Sequence, residues 1–477
     1  MKNINLSILF FFLLLFNQSV AQGNLYLINE NRVSKLILDK NNIIPIPKNG
    51  ASYRILQVNL KSNQKLISFF GGSNKNKIEL FHLPIIKTIS NENALDVILP
   101  VTKNYSLTKG NQYFLLKISG NQSGLDNFML KINLTDNTIS KNLSLAVSNS
   151  SFSTTKLMNV WSYFDYNFLV KDLKSSVIKD LKSHKVSSIV IPPYVLPEVN
   201  NITNGKLIQL SSYLNGATGF DNYLIYYGGF KNNKNVFLTP KWKQNYKSWL
   251  GQIVRVFNNK NISTSKLYLY PFDEPKGSNV SQLRDLVKFT KTIIPDIKFF
   301  GTVSDLEAIS TIQSLDIVQV HSDVPGLMES AIKSNSKNAK IWLYETRFPN
   351  AASNSPQRYL NLAYKMKKYN INGYGVWSYA DSKNDNSKEI NNGKASWEMR
   401  WVNNSNNFNN SLIYRKGNQI YSSLRWEALF SGNFESFWLD QVQKKYGLSK
   451  SINYASKLSN GNLDVNSWEK FKLNLIN

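Results

Sequence analysis

Apolar residues occupy every second position in Phe114-Leu-Leu-Lys-Ile118, Phe128-Met-Leu-Lys-Ile-Asn-Leu134 and Leu143-Ser-Leu-Ala-Val147. A period of two lays one face of a strand on a core and leaves the other to water, as in antiparallel sheets. Runs of this kind, separated by Asn, Gly, Ser and Lys turns, continue from Leu25 to about Val147, so residues 22–150 are expected to form a β-sandwich domain. Its expected role is structural support for the C-terminal part of the chain, with carbohydrate binding as the alternative. Ser148-Asn-Ser-Ser-Phe-Ser-Thr-Thr155 reads as a linker.

The pattern then changes. Met158-Asn-Val-Trp-Ser-Tyr163 is followed by apolar positions 170, 173, 177, 178 and 181, which share one face of a helix. Further short apolar runs at Ser187–Ile191, Tyr223–Tyr227, Lys266–Phe272, Ile297–Gly301, Asp316–Val320, Lys340–Tyr344 and Gly373–Trp377 alternate with helical patterns such as Tyr246–Val254 and Arg358–Met366. With a helix from Ser423 to about Gln443 these make eight strand–helix units. The fold class expected for residues 151–445 is α/β, a (β/α)8 TIM-type barrel, with residues 446–477 as a C-terminal extension. An open doubly wound sheet is the alternative. It would normally carry a glycine-rich phosphate loop after its first strand, and Tyr163-Phe-Asp-Tyr166 has none.

Composition narrows the chemistry. A basic start, the apolar run Leu6 to Phe16 and the small residues of Ser19-Val20-Ala21 describe a secretory signal peptide over residues 1–21, with the mature chain beginning near Gln22. No later stretch reaches about 18 apolar residues, so no integral membrane segment is expected after cleavage, and the expected location is periplasmic or extracellular. The chain has no cysteine, which excludes disulfides, thiolate metal sites and a Cys nucleophile. Its three histidines, His82, His184 and His321, lack metal-ligand spacing, so neither a metal, nor another cofactor, nor a Ser-His-Asp triad is expected. Lys plus Arg number 57 against 31 acidic residues, a net charge of +26, which would draw an anionic glycan; a Lys and Asn bias spread over solvated faces is the other reading. No Arg-rich run or RNA-binding signature calls for nucleic acid as a partner.

Candidate chemistry collects at predicted strand ends, where barrel enzymes hold their active sites. The fourth run, Lys266-Leu-Tyr-Leu-Tyr-Pro-Phe-Asp-Glu-Pro275, ends in adjacent acids, and Asp273 and Glu274 are the catalytic candidates. Alternatively Asp273 caps the turn before the helix starting near Ser278 and Glu274 is merely solvated. Both acids can reach one sugar only if the strand ends here, with Pro275 holding Glu274 extended. Other strand ends contribute Tyr227, His321, Tyr344, Glu345, Arg347, Trp377 and Tyr379, with Trp397 from an Asn-rich loop, as substrate-binding candidates. Trp377 also suits a core, and His321 a structural hydrogen bond. Carboxylates among aromatic rings fit a glycan substrate: an acid protonates the leaving oxygen and a second group stabilises the developing positive charge.

The Asp-Glu-Pro end of strand four, the strand-eight stretch Gly373-Tyr-Gly-Val-Trp-Ser378 and the segment Ile413 to Leu439, with a short loop leading into a Ser-x-Arg-x-Glu helix, resemble glycoside hydrolase family 123 and its wider group of glycosidase-like bacterial proteins. The resemblance spans roughly residues 140–440. It implies a β-N-acetylgalactosaminidase-like, metal-free mechanism. Asp273 would polarise the substrate's own 2-acetamido group as it attacks the anomeric carbon, and Glu274 would be general acid and then base. Glu345 departs from the group's usual pattern. It supports two alternatives: a retaining glycosidase of clan A type using Glu274 and Glu345, or, in a different class, a barrel that binds glycan without cleaving it.

Overall fold

The computed structural model describes residues 23–88, 92–153, 157–160, 172–227, 236–336, 339–346, 355–371, 373–380, 393–398 and 411–476. The signal-peptide stretch lies outside these. The chain divides into two compact units, one comprising the residues up to Ser153 with Ser355–Leu360 and Ser422–Asn477, the other Thr154–Asn354 with Asn361–Tyr421.

In the first unit, strands Gly50–Leu60, Gly110–Gly120 and Asn76–His82 pair antiparallel within one five-stranded sheet, while Gly124–Leu134 pairs with Thr138–Ser151 and Gln64–Phe70 in a second. Alternate residues of both sheets, among them Leu56, Val58, Phe114 and Leu116 from the first and Leu130, Ile132, Leu143 and Leu145 from the second, share one core. The alternation at 114–118, 128–134 and 143–147 thus marks real sandwich strands. The expected linker begins later than its composition implies. Strand Thr138–Ser151 runs through Ser148, with Ser151 in register with Lys48, because main-chain pairing holds residues whose side chains show no strand pattern.

The first sheet is covered on its other face as well. Tyr53, Ile55, Tyr113 and Leu115 pack with Leu424, Phe430 and Phe434 of helix Leu424–Tyr446. This helix was expected to complete the barrel but groups with the first unit. The cause is legible in Gly-Ala-Ser-Tyr-Arg-Ile-Leu-Gln-Val-Asn-Leu, a strand apolar on both faces that needs two covers. The Ser-x-Arg-x-Glu residues seat the helix: Ser423 Oγ accepts from the Trp426 N–H at 3.1 Å, and buried Arg425 pairs with buried Asp96 at 2.9 Å.

In the second unit, eight parallel strands, Leu157–Val160, Ser188–Ile191, Asn222–Tyr226, Leu267–Tyr270, Lys298–Val303, Ile317–His321, Lys340–Glu345 and Gly373–Val376, are hydrogen-bonded in chain order, and the eighth pairs with the first to close a barrel. The fourth strand stops at Tyr270, short of Phe272, because Pro271 has no N–H to continue the ladder. Helix Lys174–Ser183 starts later than the apolar spacing implies, since Asp172 takes a φ of 63°, off the helical path. The fifth connection carries the 3-10 helix Glu307–Ser314 where an α-helix was expected. Helix Pro240–Asn258 shows the local logic: Thr239 caps the Trp242 N–H, Pro240 opens the first turn, and Trp242, Tyr246, Trp249, Leu250, Ile253 and Phe257 fall on one buried face.

Side chains alternate along each strand, so every second residue enters the barrel. Val190, Leu224, Tyr268, Phe300, Ile317 and Trp342 fill it, and Tyr226, Tyr270 and Trp377 pack on the same cluster.

Candidate active site

Two residues along from Leu224 and Tyr268, toward the C-terminal ends of the strands, Tyr226 and Tyr270 stand side by side in register. Their rings lie 4.8 Å apart. The same step carries strand five from Phe300 to Thr302 and strand seven from Trp342 to Tyr344. These inward hydroxyls receive the two acids. Tyr270 donates to Asp273 Oδ1 at 2.5 Å, and Thr302 Oγ1 donates to the same oxygen at 2.9 Å. The Glu274 main-chain N–H donates to Thr302 Oγ1 at 2.7 Å, and the Tyr344 hydroxyl donates to Glu274 Oε1. Asp273 is exposed and Glu274 half-buried, so both carboxyls sit where a ligand can meet them.

Burial, with Asp273 adding to it, pushes the Tyr226 hydroxyl up to about 12. Burial and then the charges of Glu274 and Asp273 raise Tyr344 as well. Both phenols therefore remain donors at neutral pH. Asp273 is not a helix cap: helix Ser278–Ile293 begins at Gly277 without a side-chain cap. Glu274 is not extended, as Pro275 led us to expect, but left-handed, with φ 46°. Pro275 disfavours the right-handed helical region, and the positive φ goes with the hydrogen bond from the Glu274 N–H to Thr302 Oγ1. A non-glycine residue held there costs roughly 1–3 kcal/mol, a strain typical of functional sites.

The other candidates divide by the face they occupy. Tyr344 points inward, so Glu345 after it points outward, where it is 2 % exposed and its Oε1 accepts from Lys365 Nζ at 2.5 Å and from Ser322 Oγ at 3.0 Å. It does not join Asp273 and Glu274, which corrects both its substrate-binding assignment and its candidacy as a nucleophile. Tyr227 is also displaced: it follows inward Tyr226, and its ring packs at 4.8 Å on Trp249 of helix Pro240–Asn258. Tyr379 is fully buried and donates to Asp180 Oδ2 at 2.8 Å, on helix Lys174–Ser183.

His321 lies edge-on to Tyr344 at 4.9 Å. Its Nδ1 accepts from the Asp323 N–H at 3.3 Å, so the proton sits on Nε2, 3.1 Å from Thr346 Oγ1. It stands beside Tyr344, its register partner on the neighbouring strand. Trp377, one residue beyond strand Gly373–Val376, is half-buried and packs on the barrel cluster. Trp397 packs edge-on against Tyr414 and Tyr421 of the hairpin formed by Ile413–Lys416 and Gln419–Ser422. Arg347 falls outside the described residues.

Sequence reasoning passed over Tyr226, Tyr270 and Thr302. The signal was available: Tyr226 is in phase with Leu224, and Tyr270 with Tyr268, on strands whose other face must meet helices. Among the described residues, no group of three or more His, Asp or Glu could hold a metal ion.

No protein-family model matches the sequence, and none of the curated proteins does. Among solved structures, a family 123 glycoside hydrolase from Clostridium perfringens, described for hydrolysis of glycolipid glycans, superimposes with TM-score 0.65 at 11 % identity, covering 95 % of this chain and 99 % of that one. The catalytic domain of a chitinase from Pyrococcus furiosus overlaps at TM-score 0.37 and 15 % identity, over 60 % of this chain and 97 % of that one, too slight a likeness to bear on the fold. At the level of fold, and over nearly its whole length, this chain is similar to the Clostridium perfringens enzyme.

Proposed function

We propose that the chain is a glycoside hydrolase built on a (β/α)8 barrel, cleaving β-linked glycans at an N-acetylhexosamine by substrate-assisted catalysis. The observation that carries this reading is the adjacent pair Asp273 and Glu274 at the barrel mouth, each carboxyl oriented by its own hydroxyl partners. Asp273 accepts the N–H of the 2-acetamido group and aligns its carbonyl oxygen for attack on the anomeric carbon. Glu274 gives its proton to the departing oxygen, then takes one from the water that opens the cyclic intermediate. Tyr226 supplies a phenolic donor for the sugar, and Trp377 an apolar face against it. The solved enzyme of like fold acts on glycolipid glycans, and a glycan of that kind is a natural first substrate to try. The clan A alternative loses its support, because Glu345 is spent on Lys365. The basic surface leaves an anionic glycan among the substrates, and the apolar leader makes this an exported enzyme.

The test is a panel of aryl glycosides. The wild type should turn over N-acetyl-β-hexosaminides, a thiazoline mimic of the cyclised acetamide should inhibit it, and Glu274→Gln and Asp273→Asn should each lose about 10²–10⁴-fold in kcat while remaining folded. No turnover on any member of the panel, with glycan binding unchanged in Glu274→Gln, would replace the hydrolase by a glycan-binding barrel.

A further inference from the structure

Thr302 is 1 % exposed at the end of strand Lys298–Val303, yet its single hydroxyl bonds the Asp273 carboxylate and the Glu274 main-chain amide. A threonine hydroxyl has one proton to give and lone pairs to accept with. The Glu274 amide can only donate, so at 2.7 Å Thr302 Oγ1 is the acceptor there. Its own proton is then directed at Asp273 Oδ1, 2.9 Å away. Tyr270 spends its proton on the same Oδ1 at 2.5 Å, and its 3.3 Å approach to Thr302 closes a triangle of oxygens around the carboxylate. Two donors converging on one oxygen suit an ionised group and fix its plane.

We propose that Thr302 is a positioning residue that serves both acids with one hydroxyl: it clamps the left-handed backbone from which the Glu274 side chain departs to the carboxylate of Asp273, so that the two residues keep one mutual placement. This rests on the hydrolase reading for its catalytic meaning, but the clamp itself is a statement about geometry. The positive φ of Glu274, 46°, is the strained element that needs such a restraint, and the Thr302 oxygen is the acceptor of that residue's amide proton. Loss of the hydroxyl releases the amide and one anchor of Asp273 together, while both carboxyl groups stay in the chain.

Thr302→Val keeps the shape and deletes the hydroxyl; Thr302→Ser keeps the hydroxyl. On an aryl N-acetyl-β-hexosaminide, Thr302→Val should lose about a hundredfold in kcat with KM within a few-fold of wild type, a misplacement effect, and Thr302→Ser should recover most of it. Equal kcat in Thr302→Val and wild type, or an equal loss in both variants, overturns the clamp. Crystal structures of the two variants decide the matter even if the wild type proves inactive on every glycoside, an outcome that would sink the hydrolase reading alone. Glu274 should leave the positive-φ region, or Asp273 turn away from Tyr270, in Thr302→Val and not in Thr302→Ser. Both acids unmoved in Thr302→Val would refute the inference.

Discussion

Removing the charge of Glu345 and removing that of Lys365 are unequal changes. Burial alone would lower the Lys365 ammonium, but Glu345 first and Asp323 second outweigh it and hold the group above its ordinary value. Lys365→Met would remove the bonded cation from a carboxylate that is 2 % exposed, at a cost of about 3 kcal/mol; Glu345→Gln leaves an amide that still bonds Ser322 and should cost about half as much. Neither should change kcat by more than a few-fold, in contrast to Glu274→Gln. Urea unfolding and steady-state rates on the same preparations check both statements, and a thousandfold loss in Glu345→Gln would return that residue to the site. The sign with pH comes from the raised value: the Lys365 contribution is complete below the ordinary lysine pKa of about 10.4 and disappears as pH rises through the folded one. Thermal stability should therefore fall faster in wild type than in Lys365→Met through that alkaline range. The acids of the site were readable because Pro271 and Pro275 bracket them in sequence. The face of Glu345 was not, since alternation says which residues share a side and leaves open which side is inward until one neighbour is placed.

Elements of the first unit are tied by charges that no periodicity marks. Arg54 of strand Gly50–Leu60 bonds Asp39 and Glu469, each at 2.6 Å, and Lys472 bonds Glu469 at 2.5 Å and Glu435 at 2.6 Å. Arg54, Glu469 and Lys472 are buried, where single charged residues would default to the surface in any reading from sequence. Burial would raise the Glu469 carboxyl, but Lys472 and Arg54 hold it below the usual carboxylate range. A depressed folded pKa gives stability that is present above the unfolded value and lost as pH falls through the folded one. The melting temperature of the first unit should thus drop on acidification below about pH 4, and more weakly in Glu469→Gln. Arg54→Met, which leaves Glu469 with one cationic partner, should cost about 3–5 kcal/mol at neutral pH. A calorimetric trace of Arg54→Met superimposable on wild type would show the network to be energetically idle.

For the whole molecule, the change from two-residue to mixed periodicity near residue 150 falls close to Ser153, where the N-terminal part of the first unit ends, since each architecture imposes its own repeat. The ownership of helix Leu424–Tyr446 was beyond that logic. Its Trp426, Leu429, Trp438 and Leu439 are buried around the helix rather than along one stripe, and such a helix matches any apolar surface equally well. Export is a prediction at this scale: intact-mass measurement of the protein recovered outside the cytoplasm should give a chain beginning at Gln22, and retention of Met1–Ala21 would refute a cleaved leader.

Residues at the two ends of the chain build one unit, and this sets an order on synthesis. The strands of the sandwich leave the ribosome early, but Leu424, Phe430 and Phe434, which seal the outer face of its first sheet, and Glu469, which neutralises Arg54, emerge only after the entire barrel has been made. Until then Tyr53, Ile55, Tyr113 and Leu115 form an uncovered apolar sheet face, the kind of surface on which nascent chains associate with one another. The barrel strands can pair while that wait continues. The outer face of the first sheet is therefore completed only once helix Leu424–Tyr446 has been made.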